Sequence, residues 1–259
     1  MTGRTIAIMQ PTYLPWIGYF DLMDQCDLFV LLDTVQFDRR SWQQRNRIKT
    51  AQGELWLTVP VRSKGLRTQK IHEVEIDAQG DFATKHIRSV ERAYAKAAHY
   101  RSHLAQLTRI LGQGHRYLAQ LTIELIGWLR QELGIRTELV RSSELGVDGK
   151  RIDLLVTICE TVGAQRYLSP PGSRVYLDGT TQFQERMIEL VYHRYRHPHY
   201  RQLSGDFIPY LSILDLLLNE GGNSLSVIRS GRSEPAVEPL AAEEPREVES
   251  SSSGYHPTS

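Results

Sequence analysis

The sequence lacks the features of secreted, membrane-spanning and strongly charged proteins. Its two cysteines, Cys26 and Cys159, lie in apolar segments without CxxC spacing, so we expect buried, reduced thiols, with a catalytic thiol as the lesser alternative. No apolar run reaches the roughly eighteen residues of a spanning helix, and no signal-peptide pattern opens the chain. We therefore expect a cytoplasmic protein that does not insert into membranes.

Neither sign of charge is in excess, because 31 lysines and arginines balance 30 aspartates and glutamates, for a formal net charge of +1. Whole-protein attraction to nucleic acid needs many clustered cations, so nucleic acid is not the expected partner. One local exception is the segment 39–49, whose cations are separated only by neutral residues. These cations are Arg39, Arg40, Arg45, Arg47 and Lys49. RNA binding through this segment therefore remains an alternative.

Several enzyme signatures are also missing. The chain has no GxxxxGK[ST] or GxGxxG loop, no HExxH, no GxSxG and no paired-carboxylate pattern. The histidines at 193, 197 and 199 include one spacing of four, but Pro198 interrupts that segment and it holds no carboxylate or thiolate. We therefore predict no metal site there and favour a basic surface that carries aromatic rings.

What the sequence does contain is a β-α-β beginning. An apolar run at 5–10 enters a Pro/Gly turn, and a helical segment and a second apolar run at 28–33 follow. A second Gly/Pro turn, at 170–174, follows a predicted strand at 166–169. Turns after parallel strands gather at one edge of a sheet, in front of helix N-termini, so we expect a ligand site there. The predicted fold is α/β, with a Rossmann-like, mostly parallel sheet, flanking helices and a helical C-terminal part.

The remaining pattern predicts further elements of this domain. We expect strands at 54–61, 70–76 and 137–140, and helices at 82–97, 101–133, 150–163 and 211–218. Beyond Arg232 the composition shifts to Glu, Pro, Ser and Ala. The predicted organisation is one α/β domain over 1–232 and a disordered tail over 233–259.

The first turn is the leading candidate for ligand contact. Thr12, Pro15 and Gly18 fall where the T/HxGH loop of the nucleotidyltransferase superfamily has its motif, but Trp16 and Tyr19 stand in place of its histidines. The similarity is architectural, and without those histidines nucleotidyl transfer lacks its usual stabilisation of phosphorus. The alternative is a turn with aromatic packing. The predicted substrate-binding residues here are Gln10, Pro11, Thr12, Tyr13, Gly18 and Tyr19.

Three other segments supply candidates. The segment 36–49, after the strand that ends in Asp33, is dense in guanidinium and amide groups that suit phosphate, carboxylate or sugar recognition; its alternative is a solvated basic loop with Trp42 folded inward. On the helix at 82–97, Lys85 and His86 are candidate catalytic residues, although a lone histidine is more often packed. The remaining predicted substrate-binding residues are Asp33, Gln36, Arg45, Arg47, Lys49, Ser169, Ser173, Arg174 and Tyr176, and Asn46 is the third catalytic candidate.

Together these motifs resemble the WbqC-like family over about residues 4–225. They are Met9 to Phe20, Asp33 with Gln36-Phe37, Ser41-Trp42, Arg45 to Lys49, Trp56 to Val61 and Lys85-His86, continued by Ser142-Ser143, 158–164, Tyr167 to Ser169 and 207–217. The chain departs from the family at Pro170 and Pro171, where glycine-rich residues are usual. The resemblance implies a bacterial protein encoded among surface-polysaccharide genes, such as those for O-antigens with acylated amino sugars.

By analogy, the resemblance suggests a transferase or ligase that joins an amino acid such as glycine to the amine of a nucleotide-linked amino sugar. An acyl-adenylate or a thioester would activate the carboxyl group, with ATP and adenylation favoured and Mg²⁺ left open. The first turn would hold phosphate and His86 would act as general base. Charge would be neutralised by Arg45, Arg47, Lys49 and Arg174, and substrates oriented by Asn46 and Gln36. The alternative is a non-catalytic module that binds nucleotide sugars or polysaccharide intermediates; a homodimer is left open.

Overall fold

A six-stranded, mostly parallel sheet forms the centre of the computed structural model, which describes residues 3–236. The strands are β1 (Thr5–Met9), β2 (Leu28–Leu31), β3 (Arg45–Thr50), β4 (Gly53–Thr58), β5 (Glu138–Arg141), β6 (Arg166–Ser169), β7 (Glu189–Tyr195) and β8 (Arg232–Ala236). The α-helices are α1 (Ile17–Asp24), α2 (Phe82–Tyr94), α3 (Tyr100–Gly112), α4 (Leu118–Glu132), α5 (Arg151–Thr161), α6 (Arg174–Leu177), α7 (Ile213–Glu220) and α8 (Ser224–Ser230).

The strand order of the main sheet is β5-β2-β1-β6-β7-β8. All neighbours are parallel except β7 and β8, which pair antiparallel. From β1 the chain builds outward through β2 to β5 and then returns to β6 on the other side of β1. The order therefore reverses between β1 and β6, as in Rossmann-like folds. This arrangement confirms the predicted fold class.

Alternation along the central strands builds a core on each face of the sheet. Ile6 and Ile8 of β1 point to a cluster with α5, which also holds the buried thiol of Cys159. Ala7 and Phe29 point to the opposite, larger cluster with α1, α4 and α7. Strands buried on both faces read as continuous apolar runs, which is why the sequence predicted them well.

The segment predicted as a basic loop is a strand over its second half. β3 and β4 form a separate antiparallel hairpin, in which Asn46 lies opposite Leu57 and Ile48 lies opposite Leu55. The side chains of Asn46, Ile48 and Leu57 are buried, while those of Trp56 and Leu55 are exposed. β3 contacts α2 and α7, so the hairpin is fixed on the helical layer.

Other differences from the predictions have local causes. Residues 70–76 hold a short 3₁₀ turn, Ile71–Glu73, instead of a strand. The predicted helix at 101–133 is two helices, separated at Gly114, whose φ of +72° is incompatible with helix continuation. β8 extends to Ala236, so residues 233–236 of the predicted disordered tail are a strand; the rest of that tail lies outside the described residues.

β8 is attached to α1 by ion pairs. Arg232 contacts the carboxylates of the buried Asp21, at 3.0 Å, and of Asp24, at 2.5 Å. The Nε2 atom of His193, on β7, lies 2.7 Å from the other Asp21 oxygen.

Within residues 3–236, none of the helices combines the length and apolar character needed to cross a bilayer.

Candidate functional site

The carboxyl ends of β1 and β6 meet where the strand order reverses. The turn after β1 begins at Gln10 and the turn after β6 begins at Pro170, so both predicted ligand loops lie on adjacent strands at one edge of the sheet. In open α/β sheets the crevice at this reversal is the usual ligand site. We call this region the crevice.

The turn after β1 is held in an unusual shape by the hairpin. Leu14 has a φ of +47°, in the left-handed region that non-glycine residues seldom adopt. Its carbonyl oxygen accepts a 2.7 Å hydrogen bond from Asn46 Nδ2, and the Tyr13 amide donates to the Trp42 carbonyl at 2.9 Å. The first turn and the segment 36–49 are therefore in direct contact, and the Asn46 side chain joins them.

Gln10 is the predicted residue best placed to meet a ligand. Its Oε1 atom accepts a 2.8 Å hydrogen bond from Gln43 Nε2, and this bond fixes the orientation of the amide. The Nε2 group of Gln10 has no hydrogen-bond acceptor among the described residues, and the side chain is half-buried. Of its neighbours, Pro11 is buried, Thr12 is half-buried, and Tyr19 donates to the Gln10 carbonyl at 3.3 Å.

His86 lies inside the protein, between the first turn and β4. Its Nδ1 atom is 2.8 Å from the Tyr13 hydroxyl oxygen, and the ring also hydrogen-bonds the Thr58 backbone. Burial lowers the pKa of His86 from 6.5 to about 4, so the ring is neutral at pH 7. It is 6% exposed, whereas Lys85 faces solvent on another side of α2. A general-base role for His86 therefore matches this geometry poorly. The Lys85 side chain does not share a site with His86.

The N-terminus of α1 does not fit the phosphates of ATP. The Trp16 ring packs so closely on Gly18 that a Cβ at residue 18 would overlap it. The Pro15 carbonyl accepts a 2.8 Å hydrogen bond from the Ile213 amide, and the first helical residue, Ile17, is fully buried. A phosphate group therefore has no access to the N-terminus of α1. The alternative prediction, a turn with aromatic packing, describes this helix end, and we assign no reaction step to ATP here.

The amides that made segment 36–49 resemble a recognition loop are used internally. Gln36 donates to the Arg67 carbonyl at 2.8 Å, and Gln44 donates to the Val59 carbonyl at 3.3 Å. Gln43 and Asn46 bind the first turn, as described. Internal hydrogen bonds therefore account for the amides, but the alternative prediction of a solvated loop with Trp42 folded inward is wrong, because Trp42 is exposed and residues 45–50 form a strand.

Asp33 is a fully buried carboxylate surrounded by donors. It accepts hydrogen bonds from the Ser142 hydroxyl at 3.0 Å, from the amide and hydroxyl of Ser143 at 2.9 and 2.8 Å, and from Arg141 Nε at 2.9 Å. Burial raises the pKa of Asp33, but the bonds from Ser143 and Arg141 outweigh it and lower the pKa below its usual value. The carboxylate thus joins the ends of β2 and β5, with no oxygen left for a substrate.

Lys49 is buried beneath the segment 202–206. Its Nζ atom donates to Gln202 Oε1 at 2.9 Å and to the Asp206 carbonyl at 2.5 Å. Nearby, the buried Asp215 accepts from the hydroxyls of Tyr94 and Tyr200 at 2.8 and 2.9 Å, and burial raises its pKa. Lys49 is therefore part of an internal network, which the sequence alone did not indicate.

The turn after β6 also closes on itself. The hydroxyls of Ser169 and Ser173 are buried and lie 2.5 Å apart, and Ser173 also donates to the Pro170 carbonyl at 2.7 Å. Arg174 stacks over the Tyr192 ring at 4.3 Å, and Tyr176 is exposed. Arg174 and Tyr176 thus line the outer side of this turn, while the two serines stabilise it.

Two exposed tryptophans, one in the turn before β3 and one on β4, were not predicted as ligand-contact residues. Trp42 is 47% and Trp56 is 42% exposed, and their ring centroids lie 5.5 Å apart. Arg45 lies over Trp56 at 4.3 Å, and Arg47 lies 5.5 Å from the Trp42 centroid. We call Trp42, Trp56, Arg45 and Arg47 the platform. The available signal was that Arg45 and Arg47 stand two residues apart on β3, between Trp42 and Trp56 in the sequence.

One cavity among the described residues lies away from this region. It has a volume of about 620 Å³ beside the end of β2 and is lined by Arg62, Leu66, Gln69, His72, Glu73, Glu75 and Tyr117. None of the predicted site residues lines it. We place the site at the crevice and the platform because they bring together the chain reversal, the exposed tryptophans and the Gln10 Nε2 group, which has no acceptor among the described residues.

The histidine-rich segment differs from its prediction. His193 is buried beside Asp21, and His197 stacks between aromatic rings, where burial lowers its pKa to about 4. The predicted basic surface is instead largely an internal aromatic cluster. In the described part of the chain, no three His, Cys, Asp or Glu side chains are grouped to hold a metal ion.

This combination of strand order, crevice and hairpin defines a Rossmann-like α/β protein with its candidate site at the carboxyl edge of the sheet. The model of the WbqC-like protein family matches residues 10–227, so the chain belongs to that family and the resemblance is confirmed. The chain is 39% identical over 228 residues to Uncharacterized protein Rv1507c of Mycobacterium tuberculosis (strain ATCC 25618 / H37Rv), covering 87% of this chain and 98% of the relative. No solved structure matches the chain.

Proposed function

We propose that this protein binds a nucleotide-linked amino sugar at the crevice and joins an activated amino acid, such as glycine, to the sugar amine. Family membership supports the setting, surface-polysaccharide biosynthesis, by analogy. The observation that carries the proposal is Gln10. Its amide is oriented by Gln43 at the point of strand reversal, with its Nε2 group lacking an acceptor in residues 3–236.

The chemistry asks little of the internal side chains. The amine lone pair attacks the thioester carbonyl carbon, the bond from that carbon to sulfur breaks, and the proton lost by the amine leaves with the sulfur as a free thiol. Gln10 Nε2 would donate a hydrogen bond to the carbonyl oxygen as negative charge develops there. Because the N-terminus of α1 does not fit ATP, the acyl group would arrive already activated, as in a thioester. His86 would position the first turn through Tyr13.

A non-catalytic module that binds nucleotide sugars or polysaccharide intermediates is the second candidate. One specific observation favours it: the predicted catalytic groups His86 and Asn46 both have internal hydrogen-bond partners. A binding crevice needs only fixed donors and a stable edge, both of which this fold has.

The test is amide formation. The purified protein is incubated with a nucleotide-linked 4-amino sugar and a glycyl thioester, or with glycine and ATP, and mass spectrometry follows the glycyl adduct. We expect the adduct with the thioester and a loss of about tenfold in Gln10→Ala, the effect of one hydrogen bond worth about 1.4 kcal/mol.

The matched control is Gln79→Ala, an exposed glutamine outside the crevice, which should keep wild-type rates. Sugar binding without an adduct for any donor would favour the module. Equal rates in both glutamine variants would remove Gln10 from the site.

A further inference from the structure

The platform exposes more aromatic surface than the hairpin needs for its own packing. Arg47 lies opposite Trp56 in the strand register, so the two side chains share the face that is opposite to the buried Ile48 and Leu57, where Trp56 is exposed and the Arg47 side chain is 12% exposed. The rings of Trp42 and Trp56 are tilted by 31° to each other, and nearly half of each residue meets solvent. Exposed aromatic patches of this kind mark interaction sites.

Arg45 gives the platform an unneutralised cation. Arg47 is paired with Glu54 at 2.8 Å and donates to the Tyr210 carbonyl at 3.3 Å. Arg45, by contrast, has no carboxylate partner among the residues that the structure describes. The buried Nε atoms of both arginines have no acceptor there. The Arg45 guanidinium is stacked on Trp56, which fixes the plane from which its donors extend.

Aromatic faces beside a fixed guanidinium suit a ligand that is both planar and anionic. A nucleobase stacks on indole rings irrespective of its identity, and a diphosphate accepts hydrogen bonds from arginine. A neutral sugar alone would leave Arg45 unused. Two copies meeting through this face would bring their unpaired arginines together, which disfavours self-association here.

The platform is also attached to the crevice. The Trp42 carbonyl accepts from the Tyr13 amide at 2.9 Å, and Gln43, the next residue, holds Gln10 at 2.8 Å. A group bound on the platform therefore lies beside the turn that presents Gln10. Such short, buried connections limit relative motion of the two regions.

We propose that the platform binds the nucleoside diphosphate part of the nucleotide-linked sugar, with the base on Trp42 and Trp56 and the diphosphate at Arg45. This inference rests on the proposed function and assigns one part of that substrate to the hairpin. The linked sugar then lies at the crevice.

Calorimetric titration of the full chain with UDP, dTDP, CDP and GDP tests the proposal. At least one should bind, and Trp42→Ala, Trp56→Ala and Arg45→Gln should each weaken its binding by about tenfold or more. Trp42→Phe should retain most of the affinity, because it keeps an aromatic face. Arg101→Gln is the control, since Arg101 is an exposed arginine on α3. Circular dichroism verifies that each variant is folded.

The outcomes separate this inference from the proposed function. Nucleotide binding that needs both tryptophans, without amide formation in any assay, would keep the platform and remove the transferase. Amide formation with unchanged nucleotide affinity in the three platform variants would do the reverse. The platform proposal also fails if no nucleotide binds wild-type protein at millimolar concentration, or if single-stranded RNA binds far more tightly with a steep salt dependence.

Discussion

At the scale of single residues, His86 shows how burial changes what a histidine can do. The ring touches Tyr13 and the Thr58 backbone, and its pKa is lowered to about 4. An amine of a substrate would hold its proton far more tightly than such an imidazole. The residue is therefore better suited to fixing the first turn than to removing a proton.

This pKa predicts a loss of stability in acid. Well above pH 6.5, His86 is neutral in both the folded and the unfolded chain. As the pH falls from there toward 4, the unfolded chain takes up a proton that the folded chain does not, so folding is penalised. Between pH 7 and 5 this costs about 2 kcal/mol. In urea unfolding, the free energy of unfolding of wild type should therefore fall between pH 7 and 5 by about 2 kcal/mol more than that of His86→Gln.

Lys85→Gln is the control on the same helix, because Lys85 is exposed, and its stability should follow the wild-type pH dependence. His197, also buried and neutral, contributes equally to all three proteins. Parallel pH profiles for His86→Gln and wild type would contradict the assignment.

At the scale of elements, Asp33 joins the ends of two parallel strands. Replacing it with alanine leaves the buried hydroxyl of Ser142 and the groups of Ser143 and Arg141 without their acceptor. We expect Asp33→Ala to lower the free energy of unfolding by roughly 3–5 kcal/mol. Chemical denaturation measures it, with Asp38→Ala, at an exposed loop residue, as control. Similar midpoints for the two variants would refute the structural role of Asp33.

The strands that could be predicted from the sequence are those whose own residues form a continuous apolar run. β1, β2 and β6 are apolar runs beside Gly/Pro turns, and parallel pairing then requires their loops to share an edge. β3 was not predicted as a strand because its outer face is charged and only Ile48 is a large apolar residue. β8 was not predicted as a strand because Ser233, Glu234 and Pro235 have the composition of a disordered tail. In the structure, pairing with β7 and the ion pairs of Arg232 stabilise the strand.

The candidate site was predictable only in position. Its place followed from the strand order, but the partner of each polar group depends on contacts distant in sequence. Gln43 and Asn46 resembled ligand donors until the structure paired them with Gln10 and Leu14. The exposure of Trp42 likewise depends on what the rest of the chain leaves uncovered.

At the scale of the whole molecule, Arg232 links the described C-terminal strand to the first helix. Arg232→Gln removes the ion pair from the fully buried Asp21, whereas Arg229→Gln removes a more exposed partner of Asp24. We expect the first variant to destabilise the protein by roughly 1–3 kcal/mol and the second by less than 1 kcal/mol. Thermal unfolding of both checks this; equal shifts would show that the Asp21 contact adds nothing.

The Arg232 contact also gives the nascent chain an order of assembly. Arg232 is 211 residues from its partner Asp21, and His193 is 172 residues from it. On the ribosome, α1 is complete long before either residue has been synthesised. A translation product that ends before residue 232 would contain the buried Asp21 carboxylate without its arginine partner. We expect such a product to be less stable and to be a substrate for cellular quality control.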